Sequence, residues 1–260
     1  MLSVENVSVD IQGTRILREI SFGARAGEVL AILGPNGCGK STLIEAILGL
    51  RGTVSGRVSF EGRDISLYNR KKRALIFAYM PQNTAPNSFF TVLETVVMGR
   101  YPYLGTFGGY AKRDFDIARD AIRRTGLSGF EDRVVSGLSG GETATVMLAR
   151  SLAQDTPVIL LDEPTSSLDP GHALAIADII KKLAAAGKLP IVSMHDVNMA
   201  LNMSDRLILL KNGRIFGDIP AARIDRNILA GLYGISWEIR RTSKGHIAAI
   251  PERGFPERDR

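Results

Sequence analysis

One segment constrains this chain more than any other: Gly34-Pro35-Asn36-Gly37-Cys38-Gly39-Lys40-Ser41-Thr42. It fits G-x-x-x-x-G-K-[ST] and lies between the apolar run ending at Leu33 and the helix-patterned LIEAILGL that begins at Leu43. A strand passing into a helix through glycines aims backbone N–H groups and a positive helix end at one point, which suits phosphate. Gly37 and Gly39 permit the inward curl, Lys40 brings a full positive charge to the β/γ-phosphates, and Ser41 offers a hydroxyl to Mg²⁺. Residues Gly34 through Thr42 are therefore read as nucleotide-binding. Cys38 lies inside this loop, and its closeness to Lys40 and a helix N-terminus predicts a thiol shifted toward thiolate.

The surroundings of this loop set the fold class. Strand-like runs at Leu2 to Ile11, Arg15 to Phe22, Glu28 to Leu33 and Val54 to Phe60 give way to helical patterns at Lys112 to Thr125 and Glu142 to Ala153. Strands return at Val158 to Leu161, Ile191 to Met194 and Leu207 to Lys211, separated by helices at His172 to Ala186 and Val197 to Met203. Strands alternating with helices imply parallel βαβ units around a covered sheet. The reading is an α/β nucleotide-binding core with a small N-terminal β layer and a mostly helical insertion over about 83–155. No apolar run approaches the roughly 20 residues of a membrane span, and the first ten residues carry Glu5 and Asp10 where a signal peptide would be basic, then apolar. A single cysteine excludes an internal disulfide or a cysteine zinc site, so a cytosolic chain is expected.

Further residues complete a reaction site. The run Val158 to Leu161 delivers Asp162 and Glu163 at the C-terminal end of a strand, 122 residues beyond Lys40. Neighbours on a strand point to opposite faces, which predicts separate roles. Asp162 would hold Mg²⁺ beside Ser41, and Glu163 would act as general base on the attacking water. Ser139, Gly140 and Gly141 open a second helix suited to anions, with Ser139 as its N-cap. One nucleotide does not need two such helix starts in one chain. Gln82 follows Met80-Pro81 where the core hands over to the insertion, and His195 ends the strand Ile191 to Met194, in reach of a γ-phosphate.

These elements stand in a fixed order: GPNGCGKST, Pro81-Gln82, LSGGE from Leu138 to Glu142, VILLDEPTSSLD from Val158 to Asp169, and Met194-His195-Asp196. In that order, from Leu2 to about Ile239, the chain resembles the ATP-binding subunit of an ATP-binding-cassette (ABC) transporter. The resemblance implies a P-loop NTPase fold of the ABC ATPase type, with a RecA-like core, an antiparallel β layer and an inserted helical subdomain. It implies ATP and Mg²⁺ as ligands and a head-to-tail homodimer in which the Ser139–Gly141 turn of one copy closes over ATP held by the other. Lys40, Gln82, Glu163 and His195 would be the catalytic set, Ser41, Gln82 and Asp162 the Mg²⁺ set, and Asp169 a link across the interface. Integral membrane permease subunits would be the direct partners and a substrate-binding protein an indirect one, at the cytoplasmic face of the cell membrane.

VMGRYPYLG (Val97 to Gly105), LDPGHAL (Leu168 to Leu174), SMHDVNMAL (Ser193 to Leu201) and GLYGISWEI (Gly231 to Ile239) resemble importers of iron-siderophore, haem and cobalamin complexes. An importer of another substrate is the alternative reading, and a non-transport ABC ATPase a more distant one. Two departures stand out. Relatives often stack an aromatic on adenine near Val9 to Gln12, where this chain has only Ile11, so better competition by GTP is expected. Thr143-Ala144-Thr145 replaces the usual Arg-Gln-Arg type segment after LSGGE, which should weaken a closed dimer.

The charge of +6 raises the question of nucleic acid. Residues 239–260 hold Arg240, Arg241, Lys244, Arg253, Arg258 and Arg260 against Glu252, Glu257 and Asp259, which is half of that excess. The rest is close to balance, so no nucleic-acid partner is expected. Residues 1–238 are read as the ATPase domain and 239–260 as a short basic extension, a surface feature suited to anionic headgroups.

Overall fold

Hydrophobic alternation builds the first layer. The computed structural model describes residues 1–82, 89–105, 108–166, 168–243 and 245–252. Strands β1 (Leu2–Ile11) and β2 (Thr14–Ala24) pair antiparallel around Gln12-Gly13, both with positive φ as a tight right-twisting hairpin requires. Val4, Val7, Val9, Leu17 and Ile20 face inward from the two strands. After β3 (Leu30–Leu33) and helix α1 (Lys40–Ile47), β4 (Ser55–Phe60) and β5 (Arg63–Asp64) complete a sheet of order β2-β1-β4-β5. The apolar face of α1, with Leu43, Ile44 and Ile47, packs into the same core.

Helix α2 (Arg70–Ala74) leads to β6 (Phe77–Met80), and the helical insertion follows as α3 (Val92–Val97), α4 (Lys112–Arg124) and α5 (Gly140–Ala153). Arg100 ties this lobe together. Only 5% exposed, it donates to Asp114 of α4 at 3.1 Å and to the Ala153 carbonyl at the end of α5 at 2.9 Å. Residues 83–88, which begin the expected insertion, lie outside the described residues.

The chain then alternates through β7 (Val158–Asp162), α6 (Pro170–Ala185), β8 (Leu189–Met194), α7 (Val197–Met203) and β9 (Arg206–Lys211). It closes with β10 (Arg214–Pro220), α8 (Arg226–Tyr233), β11 (Trp237–Arg241) and β12 (Ile247–Pro251). The second sheet has the order β10-β9-β3-β8-β7-β6. Its five strands from β9 to β6 are parallel, and β10 adds an antiparallel edge. Strands β3, β7 and β8 are buried along their whole length, as expected of a parallel sheet covered on both faces. The four adjacent strands β3, β8, β7 and β6 therefore end on one side. That edge receives Gly34, His195, Glu163 and Gln82.

The expected boundary at 238/239 falls inside β11. Strands β11 and β12 form a hairpin whose Trp237, Ile247 and Ala249 pack into the main core. The extension is not a loose basic surface in its described part. Arg240 pairs with Glu238, and Arg241 donates to the Ala222 carbonyl at 2.7 Å. Residues 253–260 lie outside the described residues.

Candidate functional site

The phosphate loop owes its shape to close backbone contacts. A Cβ on Gly34 would stand 2.1 Å from the Leu210 carbonyl oxygen, so only glycine lets the loop leave β3 beside β9. Gly39, the N-cap of α1, has φ 107°, a region that residues with a side chain avoid. No side chain caps this helix and no acid occupies its first turn, so its N–H groups and dipole end remain available to an anion. Lys40 is buried and donates to the carbonyls of Gly34 at 2.9 Å and Pro35 at 3.3 Å. These bonds hold the ammonium inside the loop.

A cleft of about 530 Å³ opens above this loop. Asn36, Gly37, Gly39, Lys40, Ser41 and Thr42 form one wall, and Gln82, Glu163 and His195 face them. Ile11 and Ile16, on the two strands of the first hairpin, also line it. Ile16 carries no motif signal in the sequence; it sits at the irregularity of the β1–β2 hairpin between the pairs Asp10–Arg15 and Val9–Leu17 and joins Ile11 at the cleft. Both candidates for contact with a base are aliphatic.

Glu163 is the centre of the facing wall. Its carboxylate, 5% exposed, accepts from the Gln82 amide and meets Nε2 of His195. Three residues far apart in sequence, at the ends of β6, β7 and β8, thus converge on one carboxylate. The expected alternation of Asp162 and Glu163 across a strand is not the reason for their different settings. Strand β7 ends at Asp162, and Glu163 has φ 53°, a left-handed conformation costing of order 1–3 kcal/mol. Its N–H donates to the Ser193 carbonyl at 3.2 Å and to Ser193 Oγ at 3.1 Å, and the same hydroxyl donates to Asp162.

Cys38 departs from expectation. Only 6% exposed, its thiol is pushed up by burial, which outweighs the attraction of Lys40 and the nearby backbone N–H groups. The thiolate is disfavoured, not favoured. Tyr79, on β6 under the same wall, is likewise pushed up to about 12, first by burial and then by Asp162.

Among the described residues, Ser139, Gly140, Gly141 and Asp169 do not line this cleft. Ser139 caps α5 in a reciprocal box: its Oγ accepts from the Glu142 N–H at 3.3 Å, and Glu142 accepts from the Ser139 N–H at 2.7 Å. That backbone bond comes first among the causes holding the Glu142 carboxyl below the usual range. Asp169 caps α6 through the N–H groups of Gly171 and His172, and its hydrogen bond to the His172 ring leads the effects that lower its pKa. A Cβ at Gly141 would lie 3.3 Å from Leu168, so the two helix starts are neighbours. They form a second exposed surface, and Leu168 and Pro170 beside it line a hollow that also reaches Glu163 and His195.

Among the described residues no three His, Cys, Asp or Glu side chains cluster to hold a metal by themselves. Mg²⁺ does not require such a cage, since one or two carboxylates with substrate phosphates suffice. The buried Asp162 carboxylate and the cleft-facing Ser41 hydroxyl and Gln82 amide oxygen are oxygen donors that fit it.

Comparison with known proteins bears on this geometry. The profile of the ABC transporter family matches residues 17–166, more than half of the chain. The chain belongs to the ABC transporter family. Among its ABC relatives, the hemin import ATP-binding protein of Streptomyces coelicolor is 38% identical over 247 residues, covering 94% of this chain and 88% of that protein. The cobalamin import ATP-binding protein of Halobacterium salinarum is 37% identical over 82% of this chain. The match spans about half, 54%, of that longer relative. A solved ABC transporter described as of the metal-chelate type, in an inward-facing conformation, superposes with a TM-score of 0.84 at 25% identity, covering 96% of this chain and 97% of that one. An ATP-binding cassette solved as a dimer in a post-hydrolysis state, bound to ADP and Pi, gives a TM-score of 0.76 at 28% identity, over 85% of this chain and 99% of that one. No helix of the described residues is long and apolar enough to cross a membrane.

Proposed function

We propose that this chain is the ATP-hydrolysing subunit of an ABC importer, energising uptake of a metal complex of the siderophore, haem or cobalamin kind. The observation that carries the catalytic reading is the meeting of Gln82 and His195 on the Glu163 carboxylate, across the cleft from Lys40. Lys40 and the N–H groups opening α1 bind and orient the phosphates. Glu163 takes the proton from the attacking water, Gln82 holds the carboxylate in register, and His195 contacts both Glu163 and the terminal phosphate. Ser41, Gln82 and Asp162 would hold Mg²⁺, which when bound neutralises charge on the phosphate oxygens.

The exposed Ser139–Gly141 turn and its neighbour Asp169 support a head-to-tail homodimer, each copy completing the other's site. The dimeric cassette relative supports the same arrangement. Membrane permease subunits are the direct partners, a substrate-binding protein an indirect one, and the chain sits peripherally at the cytoplasmic membrane face. The hemin and cobalamin import relatives and the metal-chelate type structure support the substrate class.

The test is reconstitution of the chain with its membrane partner in vesicles, followed by ATP-dependent uptake of a ferric siderophore, haem and cobalamin. Accumulation of one of them only with ATP is expected. Uptake of none, with ATP-driven uptake of a sugar or amino acid instead, would overturn the substrate class.

A further inference from the structure

Strand β8 reads Leu-Pro-Ile-Val-Ser-Met and is buried at every position. Ser193 is its one polar side chain and is fully buried, so its hydroxyl must find partners within the protein. It finds two on the acidic corner of the cleft. The O–H donates to Asp162 Oδ1, and the oxygen accepts the Glu163 N–H at 3.1 Å. A hydroxyl has one proton to give, so these roles fix its direction. Ser193 also lies opposite Asp162 on β7 and opposite Ile32 on the strand that enters the phosphate loop, two residues before His195.

We propose that Ser193 is a positioning residue whose hydroxyl sets Asp162 and Glu163 as a pair, aiming one carboxylate at the metal and the other at the water. The inference rests on the ATPase reading above. By donating to Asp162 Oδ1, the hydroxyl leaves Oδ2 as the oxygen that would meet the metal. By accepting from Glu163, it helps to hold the left-handed turn that points the second carboxylate at Gln82 and His195. Alanine keeps the strand and nearly all the volume but leaves Asp162 free to rotate and removes one of the two acceptors of the Glu163 N–H. Threonine keeps the hydroxyl on a β-branched residue suited to a strand.

The test compares the full-length parental chain with Ser193→Ala and Ser193→Thr. Mn²⁺ binding in the presence of ADP is read by electron paramagnetic resonance, nucleotide binding in EDTA by a fluorescent ATP analogue, and Mg²⁺-dependent hydrolysis alongside. Ser193→Ala should lose roughly tenfold or more in Mn²⁺ affinity and in turnover, as for groups that orient metal ligands. Metal-free nucleotide binding should stay within about twofold, because the phosphate loop is untouched, and Ser193→Thr should regain both losses. Parental Mn²⁺ affinity in Ser193→Ala would overturn the proposal. So would a matching loss of metal-free binding, which marks general damage, or a threonine variant that melts normally yet behaves as alanine. If the parental chain itself neither binds Mn²⁺ with ADP nor hydrolyses ATP, it is the ATPase reading that fails.

Discussion

Two asparagines on α7 hold the C-terminal hairpin, and their removal is a sharp test of how that segment joins the body. Asn198 donates to the Ala249 carbonyl at 3.1 Å and accepts the Ala249 N–H at 2.7 Å. One turn later, Asn202 donates to the Ile247 carbonyl at 2.7 Å and accepts the Ile247 N–H at 2.9 Å. Each side-chain amide thus stands in for a peptide unit, and α7 serves β12 as the next strand would. Ile247 and Ala249 are 5% and 1% exposed, so water does not replace a lost partner. Asn198→Ala leaves one buried donor and one buried acceptor unpaired, at about 2 kcal/mol. In hydrogen exchange that amounts to about 30-fold faster exchange of the Ala249 amide if opening is local. Asn202→Ala should do the same at Ile247, and each variant should melt a few degrees below the parental chain. Exchange at both amides unchanged in both variants would refute the reasoning and return the hairpin to the status of an appendage.

Other expectations follow from the site. Because burial raises the Cys38 thiol, its reaction with iodoacetamide should be slower than that of a free thiol at neutral pH and should keep rising past pH 9; a plateau below pH 8 would contradict the raised value. Gly34→Ala should cost about 3 kcal/mol or more in urea unfolding, since its Cβ meets backbone at 2.1 Å, whereas Gly37→Ala, with open space but φ 74°, should cost about 1 kcal/mol. Equal costs would sink the packing argument. With Ile11 and Ile16 as the base-side wall, GTP should compete with ATP in hydrolysis to within about tenfold, and a hundredfold ATP preference would show a base contact that these residues do not supply.

What could be read in the sequence was what a local pattern encodes. The phosphate loop, the acid pair after Val158–Leu161 and the Ser139 cap are each set by neighbours within a few positions, and each stands where expected. Helix α7 matches the expected Val197 to Met203 to the residue, because Asp196 caps it and Ser204 ends it. The misses depend on partners distant in sequence. Strand β6 is four residues long and is recognisable only by its pairing with β7. Strand β11 carries Glu238, Arg240 and Arg241, so its charge reads as a solvated tail until β12 and the asparagines of α7 appear. Cys38 differs because its neighbours in sequence favour thiolate, while burial by the β layer, visible only in three dimensions, opposes it. Ser193 opens the SMHDVNMAL segment, but its role has no local signal: a lone serine in an apolar strand becomes informative once β7 lies beside it.

The central claim is that Glu163 acts as the base in a site that two copies complete together. Glu163→Gln replaces the carboxylate by a group of the same shape that cannot take a proton, so nucleotide binding should survive while turnover falls by about 10²- to 10⁴-fold. The direct measurement is steady-state hydrolysis of this variant together with its mass in solution with ATP and Mg²⁺. The account predicts ATP bound, turnover nearly abolished, and a dimer that persists because its ATP is not consumed. Hydrolysis at close to the parental rate, or a variant that stays monomeric with ATP bound, would contradict it.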